Sequence, residues 1–124
     1  MAHFAKIENN IVTQVLVVPD NQEHRGQDYL ANDLGLGGTW IKTSYNTYGN
    51  VHKTGGTPLR KNYASVGYEY DSHWDAFRQP KPFPSWKLNY ETFLWEAPIS
   101  KPEEEEGYFW RWAEINQEWI KIAK

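Results

Sequence analysis

A pattern of aromatic residues that recurs three times in the C-terminal half constrains the fold more than any other feature of the sequence. Each copy begins with a four-residue segment whose first residue is aromatic and whose third residue is apolar or aromatic. A second bulky aromatic residue follows six positions after the end of that segment. Alternation puts the first and third residues on one face of an extended chain, and the polar cluster that follows is typical of a chain reversal. The pattern therefore predicts three β-hairpins. Their opening segments and closing aromatics are 68–71 with Phe77, 86–89 with Trp95, and 110–113 with Trp119.

The N-terminal third adds further strands and one helix. Two β-prone runs within 3–18 flank Asn9 and Asn10, and because Asn tolerates positive φ this pair predicts a tight turn. The continuous apolar run 15–18 indicates a central strand that is buried on both faces. A small helix is predicted near residues 21–34, because Tyr29, Leu30 and Leu34 would share one face of it.

Length and composition indicate a single domain, 1–124, of mainly β (α+β) class. Within it we expect an N-terminal hairpin, helix and strand (1–45), a long loop (46–62), and three aromatic hairpins joined by proline-rich spacers (63–124). Glycine is a poor helix former, so Gly26 leaves open whether the helix is continuous or divided into a turn and a helix.

Aromatic side chains must form much of the core, because the chain has seven Trp and eight Tyr but only one Met. Two interpretations of these rings remain open. The rings are the core, which the alternation within each hairpin favours, or some of them form an exposed platform on which sugar rings stack. Trp74, which lies in a predicted turn, is the best single candidate for an exposed ring, and Tyr45, Tyr48 and Phe83 are next.

Proline spacing and loop length indicate where a partner would bind. Alternate prolines fix φ and favour an extended, polyproline-like course, so they act as stiff spacers between the hairpins. Long loops inside compact domains are usually functional, which makes 46–62 the first place to look for a partner contact. The predicted interaction residues are Tyr45, Tyr48, Trp74, Pro80, Pro82, Phe83 and Pro84.

Charge, cysteine content and hydropathy exclude several classes of function. The net charge is -3 at pH 7 with a pI of about 5.8, and the chain lacks the basic excess with which nucleic-acid binders contact phosphates. The absence of cysteine excludes disulfides, thiolate zinc sites and a cysteine nucleophile. No stretch approaches the roughly 20 apolar residues that cross a bilayer, and no secretion signal is recognisable. We expect neither nucleic-acid binding nor membrane insertion.

Candidates for catalysis are few. Glu69, Asp71 and Asp75 lie around the first predicted hairpin turn, and paired carboxylates can perform acid/base chemistry on a glycosidic bond. Acidic residues at turns are also expected for structural reasons, and this is the favoured interpretation. The histidines have no ligand-like spacing, and the glycine-rich segment 35–38 lacks the Lys-Ser/Thr of a phosphate loop. We expect no catalytic residues, no metal and no cofactor.

Short motifs spread over nearly the whole chain carry a resemblance to a known family. These motifs are 1–12, 38–40, 43–46, 62–64, 67–71, 75–77 and 80–86, followed by Tyr-x-Trp at 108–112 and a final Trp119. The chain resembles a family of small proteins that are abundant in tailed bacteriophages of marine cyanobacteria.

The resemblance implies a non-enzymatic phage protein that is a structural or accessory component of the virion and is assembled in the host cytoplasm. Its implied partners are other virion proteins, on the capsid exterior or on the tail and its fibres, and many copies per particle are expected. Two alternatives remain open. One is a host-surface carbohydrate-binding module for receptor recognition, in which exposed Trp and Tyr contact a host glycan. The other is an intracellular phage protein that binds a host factor.

Overall fold

The computed structural model describes residues 2–124 and is mainly β with one short helical segment, which confirms the predicted fold class. The helical segment consists of a 3-10 turn (Asp20–Arg25), an α turn (Gly26–Asp28) and a π turn (Tyr29–Asp33). The strands are β1 (Ala2–Glu8), β2 (Ile11–Val18), β3 (Thr39–Thr43), β4 (Thr47–Tyr48), β5 (Val51–His52), β6 (Glu69–Asp71), β7 (Ala76–Arg78), β8 (Lys87–Asn89), β9 (Leu94–Glu96), β10 (Tyr108–Ala113) and β11 (Glu118–Ala123).

The chain forms two compact units. The first unit comprises residues 2–80 and 90–94, and the second comprises 81–89 and 95–124. That the whole chain is one domain stays a prediction.

The first unit is built on a five-stranded antiparallel sheet with strand order β3-β1-β2-β6-β7. Asn9 and Asn10 join β1 to β2 with φ of 52° and 65°, which confirms the predicted tight turn. β2 is the central strand, as predicted, but its predicted burial on both faces is wrong because Val17 remains 45% exposed. Side chains of a strand alternate between the two faces, and the face that carries Val17 is left open at this end of β2.

Buried side chains lie on both faces of this sheet. They form two hydrophobic clusters, one of Ala2, Phe4, Val18, Leu30 and Trp40 and the other of Ala5, Val12, Ala64 and Phe77. Phe4 and Ala5 are neighbours on β1 and therefore point to opposite faces. The helical segment contributes Leu30 to the first cluster, and the first aromatic hairpin contributes Phe77 to the second.

The helical segment packs closely on β1 at Gly26. A Cβ atom at this position would lie 2.2 to 2.7 Å from three ring atoms of Phe4, closer than real side-chain atoms approach. The segment also changes from 3-10 to α geometry at Gly26. The question that the sequence left open is therefore answered in favour of two pieces. The 3-10 turn ends at Arg25, whose φ of -132° and ψ of 35° leave the helical region, and the α turn begins at Gly26. The ring of Phe4 occupies the space of the side chain that Gly26 lacks.

Gly26→Ala is expected to lower the free energy of unfolding by about 1–3 kcal/mol, because the added methyl group overpacks the contact with Phe4. Urea denaturation followed by tryptophan fluorescence measures the loss. The matched control is Gly26→Ala in a Phe4→Leu background, where the shorter side chain leaves room for the methyl group. An equal loss in both backgrounds would show that the Phe4 contact is not the cause.

The three predicted hairpins are confirmed, as β6–β7, β8–β9 and β10–β11. Each has a four-residue turn, and its last turn residue has positive φ, at Asp75 (50°), Phe93 (56°) and Gln117 (49°). In the first and third hairpins the third residue of the sequence pattern lies directly opposite the closing aromatic. These cross-strand pairs are Tyr70 with Phe77 and Trp112 with Trp119.

Asn62 joins three segments of the first unit through its buried side-chain amide, which is 3% exposed. Its Nδ2 donates hydrogen bonds to the backbone carbonyls of Phe77 (3.0 Å), Thr92 (3.2 Å) and Phe93 (3.1 Å). Its Oδ1 accepts a hydrogen bond from the backbone N–H of Gly49 at 2.8 Å. One amide thus connects β7, the turn of the second hairpin and the segment 46–62.

Asn62→Asp is expected to destabilise the fold by about 3–5 kcal/mol at neutral pH, because the introduced carboxylate would face the carbonyl oxygens of Phe77, Thr92 and Phe93. That environment disfavours the charged form, so the pKa of the introduced carboxyl rises above its unfolded value of about 3.9. The loss therefore shrinks as the pH falls through the raised pKa and the carboxyl becomes a hydrogen-bond donor. Urea unfolding at several pH values measures this dependence.

Asn50→Asp is the matched control for this substitution, because Asn50 lies in the same segment and is exposed. It is expected to change stability little and without the pH dependence described for Asn62→Asp. If the two variants lost the same stability with the same pH profile, the amide of Asn62 would not hold the three segments together.

The second unit packs around indole rings. Trp112 is buried, and its ring centroid lies 5.2 Å from that of Trp119 and 6.1 Å from that of Trp86. Phe83 adds its ring at 5.4 Å from Trp86. We call the rings of Phe83, Trp86, Trp112 and Trp119 the indole cluster. In this cluster Trp side chains form a core, as the sequence predicted.

Candidate functional site

The carboxylates that the sequence singled out are each paired with an arginine. Arg78 lies with its Nε 3.3 Å from Glu69 Oε1 and its Nη1 3.0 Å from Asp71 Oδ2. Arg60 Nε lies 2.8 Å from Asp75 Oδ1, and the Tyr70 hydroxyl donates to the same oxygen. These groups therefore form two ion-pair networks around the first hairpin.

Both aspartates of the first hairpin are held in their ionised form. Burial opposes ionisation of Asp71, but hydrogen bonds from the backbone N–H of Trp74 and from Arg78 outweigh it and lower its pKa. Burial likewise opposes ionisation of Asp75, and the Tyr70 hydroxyl and Arg60 outweigh it, so this pKa is also lowered. A general acid that works near neutral pH needs a raised pKa, which is the opposite shift. The structural interpretation of these residues is favoured.

Asp71 also closes the turn of the first hairpin. Its Oδ1 accepts hydrogen bonds from the backbone N–H of His73 at 3.0 Å and of Trp74 at 3.1 Å. Aspartate at the start of a turn commonly bonds to the backbone two residues on. This carboxylate thus holds the backbone of Trp74 in the turn.

Asp71→Asn keeps the side-chain oxygen that closes the turn but removes the charge that faces Arg78, and about 1 kcal/mol of stability should be lost at pH 7. The folded pKa of Asp71 is lowered, so its contribution is present above the unfolded pKa of about 3.9 and is lost as the pH falls through the folded value. The wild type and the variant should therefore converge in acid. Urea midpoints at neutral and acidic pH test this.

Glu104→Gln, in the exposed acidic run, is the control for a general charge effect and should leave the midpoint unchanged at neutral pH. A difference between Asp71→Asn and the wild type that persists undiminished in acid would exclude the Arg78 ion pair as its source.

The predicted interaction residues occupy different places. Tyr45 and Tyr48 are 60% and 65% exposed and line one cavity of the first unit. Trp74 lies in its hairpin turn, as predicted, but it is less exposed than either tyrosine because Tyr90 packs against its ring at 5.1 Å. The remaining ring, Phe83, is partly buried in the indole cluster. That any of these residues contacts a partner stays a prediction.

The three prolines of the first spacer are all exposed. Pro80 ends the first part of the first unit, and Pro82 and Pro84 belong to the second unit. Exposure leaves their rings available for contact, and a contact at these rings likewise stays a prediction.

The cavity lined by Tyr45 and Tyr48, which we call the tyrosine cavity, has a volume of about 200 Å³. Tyr63 and Tyr68 complete its ring of four tyrosines, and Gln79 lies beside them, where its Nε2 donates to the Tyr68 hydroxyl at 3.1 Å. The sequence analysis missed these three residues as site residues. They come from separate segments, so no local spacing indicates that they meet at one opening.

Strands β10 and β11 form a two-stranded sheet, which we call the C-terminal ribbon. Cross-strand partners share a face, so one face of the ribbon carries Trp112 with Trp119 and belongs to the indole cluster. Glu114 fixes this face, because it accepts hydrogen bonds from Trp112 Nε1 at 3.0 Å and from the Ser85 hydroxyl at 2.7 Å. The hydrogen bond from Trp112, and then those from Ser85, lower the pKa of Glu114.

The opposite face of the ribbon is largely apolar. Phe109 lies opposite Ile122, and Arg111 lies opposite Ile120. Phe109 is 47% exposed, and the ribbon pairs with no further strand among residues 2–124. Ile120 and Ile122 on this face are half-buried. The exposed part of the face around Phe109 and the two outer edges of the ribbon are therefore available to another chain.

Three negative findings complete the description of the site. No family model, no curated protein and no solved structure matches this chain. Across residues 2–124, no helix is long and apolar enough to cross a membrane. In the same residues, no group of three His, Asp or Glu side chains is arranged to hold a metal ion.

Proposed function

We propose that this chain is a non-enzymatic accessory protein of a tailed-phage virion, which docks on the capsid exterior or on the tail and its fibres through protein–protein contacts. The observation that carries the proposal is the C-terminal ribbon, with its apolar open face and two unpaired edges. The resemblance of the sequence motifs to small phage proteins supports the choice of the virion as the place of docking.

The physical argument concerns what a two-stranded ribbon requires. A two-stranded hairpin alone is marginally stable in water, and three or more strands or a packed face are needed for independent stability. An unpaired edge presents a row of backbone N–H and C=O groups to which another chain can add a strand. A virion protein that paired with an edge and covered Phe109 and Ile122 would supply both missing contacts.

The paired carboxylates add a second line of support. A protein that performed acid/base chemistry with Glu69, Asp71 or Asp75 would have to release the carboxylate from its arginine. Docking needs no such release, so the ion pairs of the first hairpin are compatible with a purely structural role.

Mass spectrometry of purified virions tests the proposal directly. The chain is expected in the particles in many copies, in constant ratio to the capsid or tail proteins through repeated gradient purification. Its absence from particles would contradict the proposal. Recovery from infected cells only, in complex with a host protein, would favour the intracellular alternative.

Substitution at the open face of the ribbon tests the mode of docking. A tagged chain with Phe109→Lys and Ile122→Lys, expressed in infected cells, should be incorporated into particles at least about tenfold less than the wild type, because two charges would be buried in the interface. Circular dichroism of the purified chain checks that the variant is folded.

The matched control is Ile115→Lys. Ile115 is the most exposed large apolar residue among residues 2–124, and it lies in the ribbon turn rather than on the open face. It should be incorporated as the wild type is. Equal incorporation of the double variant would show that the open face is not the docking surface.

A further inference from the structure

The tyrosine cavity has the features of a ligand site, and docking through the C-terminal ribbon makes no use of it. Buried Phe93 contributes to its inner wall, and the exposed rings of Tyr45 and Tyr48 stand at its opening. Its volume of about 200 Å³ is well above the space that a single water molecule needs. A single six-membered sugar ring occupies a space similar to that of the cavity.

The lining of the tyrosine cavity carries no charge. None of the residues that line it is Asp, Glu, Lys, Arg or His. A charged ligand would lose hydration on entry and would meet no opposite charge, which is costly. The ligand chemistry that this lining favours is therefore neutral.

Free hydroxyl groups surround the opening. Within residues 2–124, no hydrogen bond occupies the hydroxyls of Tyr45, Tyr48 and Tyr63, whereas the Tyr68 hydroxyl accepts from Gln79. A phenolic hydroxyl both donates and accepts hydrogen bonds. A sugar also presents groups that do both, together with an apolar C–H face that packs on an aromatic ring. A proline-rich peptide offers carbonyl acceptors but few donors, so the lining matches a sugar better.

The tyrosine rings are held in place before any ligand arrives. The ring of His3 contacts Tyr45 at 5.2 Å and Tyr63 at 5.8 Å, in both cases nearly edge to face. Asn62, which also lines the cavity, is fixed by its hydrogen bonds to the surrounding backbone. A site whose walls are already ordered loses little conformational entropy on binding.

We propose that the tyrosine cavity binds one neutral hexopyranose unit of a glycan, with the C–H face of the sugar on the ring of Tyr48 and its hydroxyls bonded to the hydroxyls of Tyr45 and Tyr63. Tyr48 is the stacking ring because it is the most exposed of the four and has no aromatic neighbour in the described residues. The proposal stands independently of docking, since the cavity and the C-terminal ribbon share no residue.

Nuclear magnetic resonance of the isotopically labelled full chain tests this assignment. The probes are the methyl glycosides of glucose, mannose and galactose, with glucuronic acid and a phosphorylated glucose as charged counterparts. At least one neutral glycoside should shift the backbone amides of residues 45–48 and 62–68 in a saturable way. The charged counterparts should bind at least about tenfold more weakly.

Variants at Tyr48 separate stacking from hydrogen bonding. Tyr48→Ala should weaken binding at least about tenfold, whereas Tyr48→Phe keeps the ring and should lose much less. The matched control is Tyr108→Ala, which removes an exposed tyrosine of the second unit and should leave affinity unchanged. Because Tyr48 is exposed, its variants should give the wild-type spectrum elsewhere.

Three outcomes would overturn the proposal. They are the absence of saturable shifts with every neutral glycoside, unchanged affinity in Tyr48→Ala, and saturable shifts at these amides with a proline-rich peptide but with no sugar. The last outcome would assign the tyrosine cavity to a peptide instead.

Discussion

The side-chain amide of Asn62 is the contact on which the first unit depends, because it joins segments that no strand ladder connects. Its two N–H groups serve three backbone carbonyls and its oxygen takes one backbone N–H. Buried backbone groups without partners are costly, so one side chain satisfies polar groups that would otherwise oppose folding. The two preceding residues, Arg60 and Lys61, have φ of 51° and 66°, a conformation that is unfavourable for such side chains. The hydrogen bonds of Asn62 and the ion pair of Arg60 with Asp75 offset that cost.

The two units pack by different means. The sheet of the first unit buries mainly aliphatic and Phe side chains, with Trp40, on its two faces, and Gly26 allows the helical segment to approach β1 closely. The second unit is short of aliphatic residues and brings Trp86, Trp112 and Trp119 together. Indoles are large and keep a polar N–H, so a cluster of them tends to remain partly open at its rim. The Nε1 of Trp86 is buried without a hydrogen-bond partner, which is a cost that this arrangement carries.

The hairpins could be predicted from the sequence because their register is a local property. When the turn has four residues, an aromatic residue six positions beyond the fourth residue of the pattern lies opposite the third residue. Phe77 lies opposite Tyr70 for this reason. The turn conformation could not be predicted in the same way, because the hairpin geometry imposes positive φ on residues as different as Asp75, Phe93 and Gln117. The tyrosine cavity was found only in part. Exposure of Tyr45 and Tyr48 could be predicted because they lie at the start of a segment rich in Gly, Thr and Asn. The approach of Tyr63 and Tyr68 depends on tertiary packing that leaves no periodic signal.

The path of the chain between the two units has a consequence for any attempt to divide this protein. The chain leaves the first unit after residue 80, returns to it for residues 90–94, and leaves it again. A cut after Pro80 would therefore not release an intact first unit, because Thr92 and Phe93 would go with the C-terminal fragment and Asn62 would lose two of its carbonyl partners. A single cleavage therefore cannot release the first unit intact, so this unit is not a module that could be transplanted by joining it to another chain at one end.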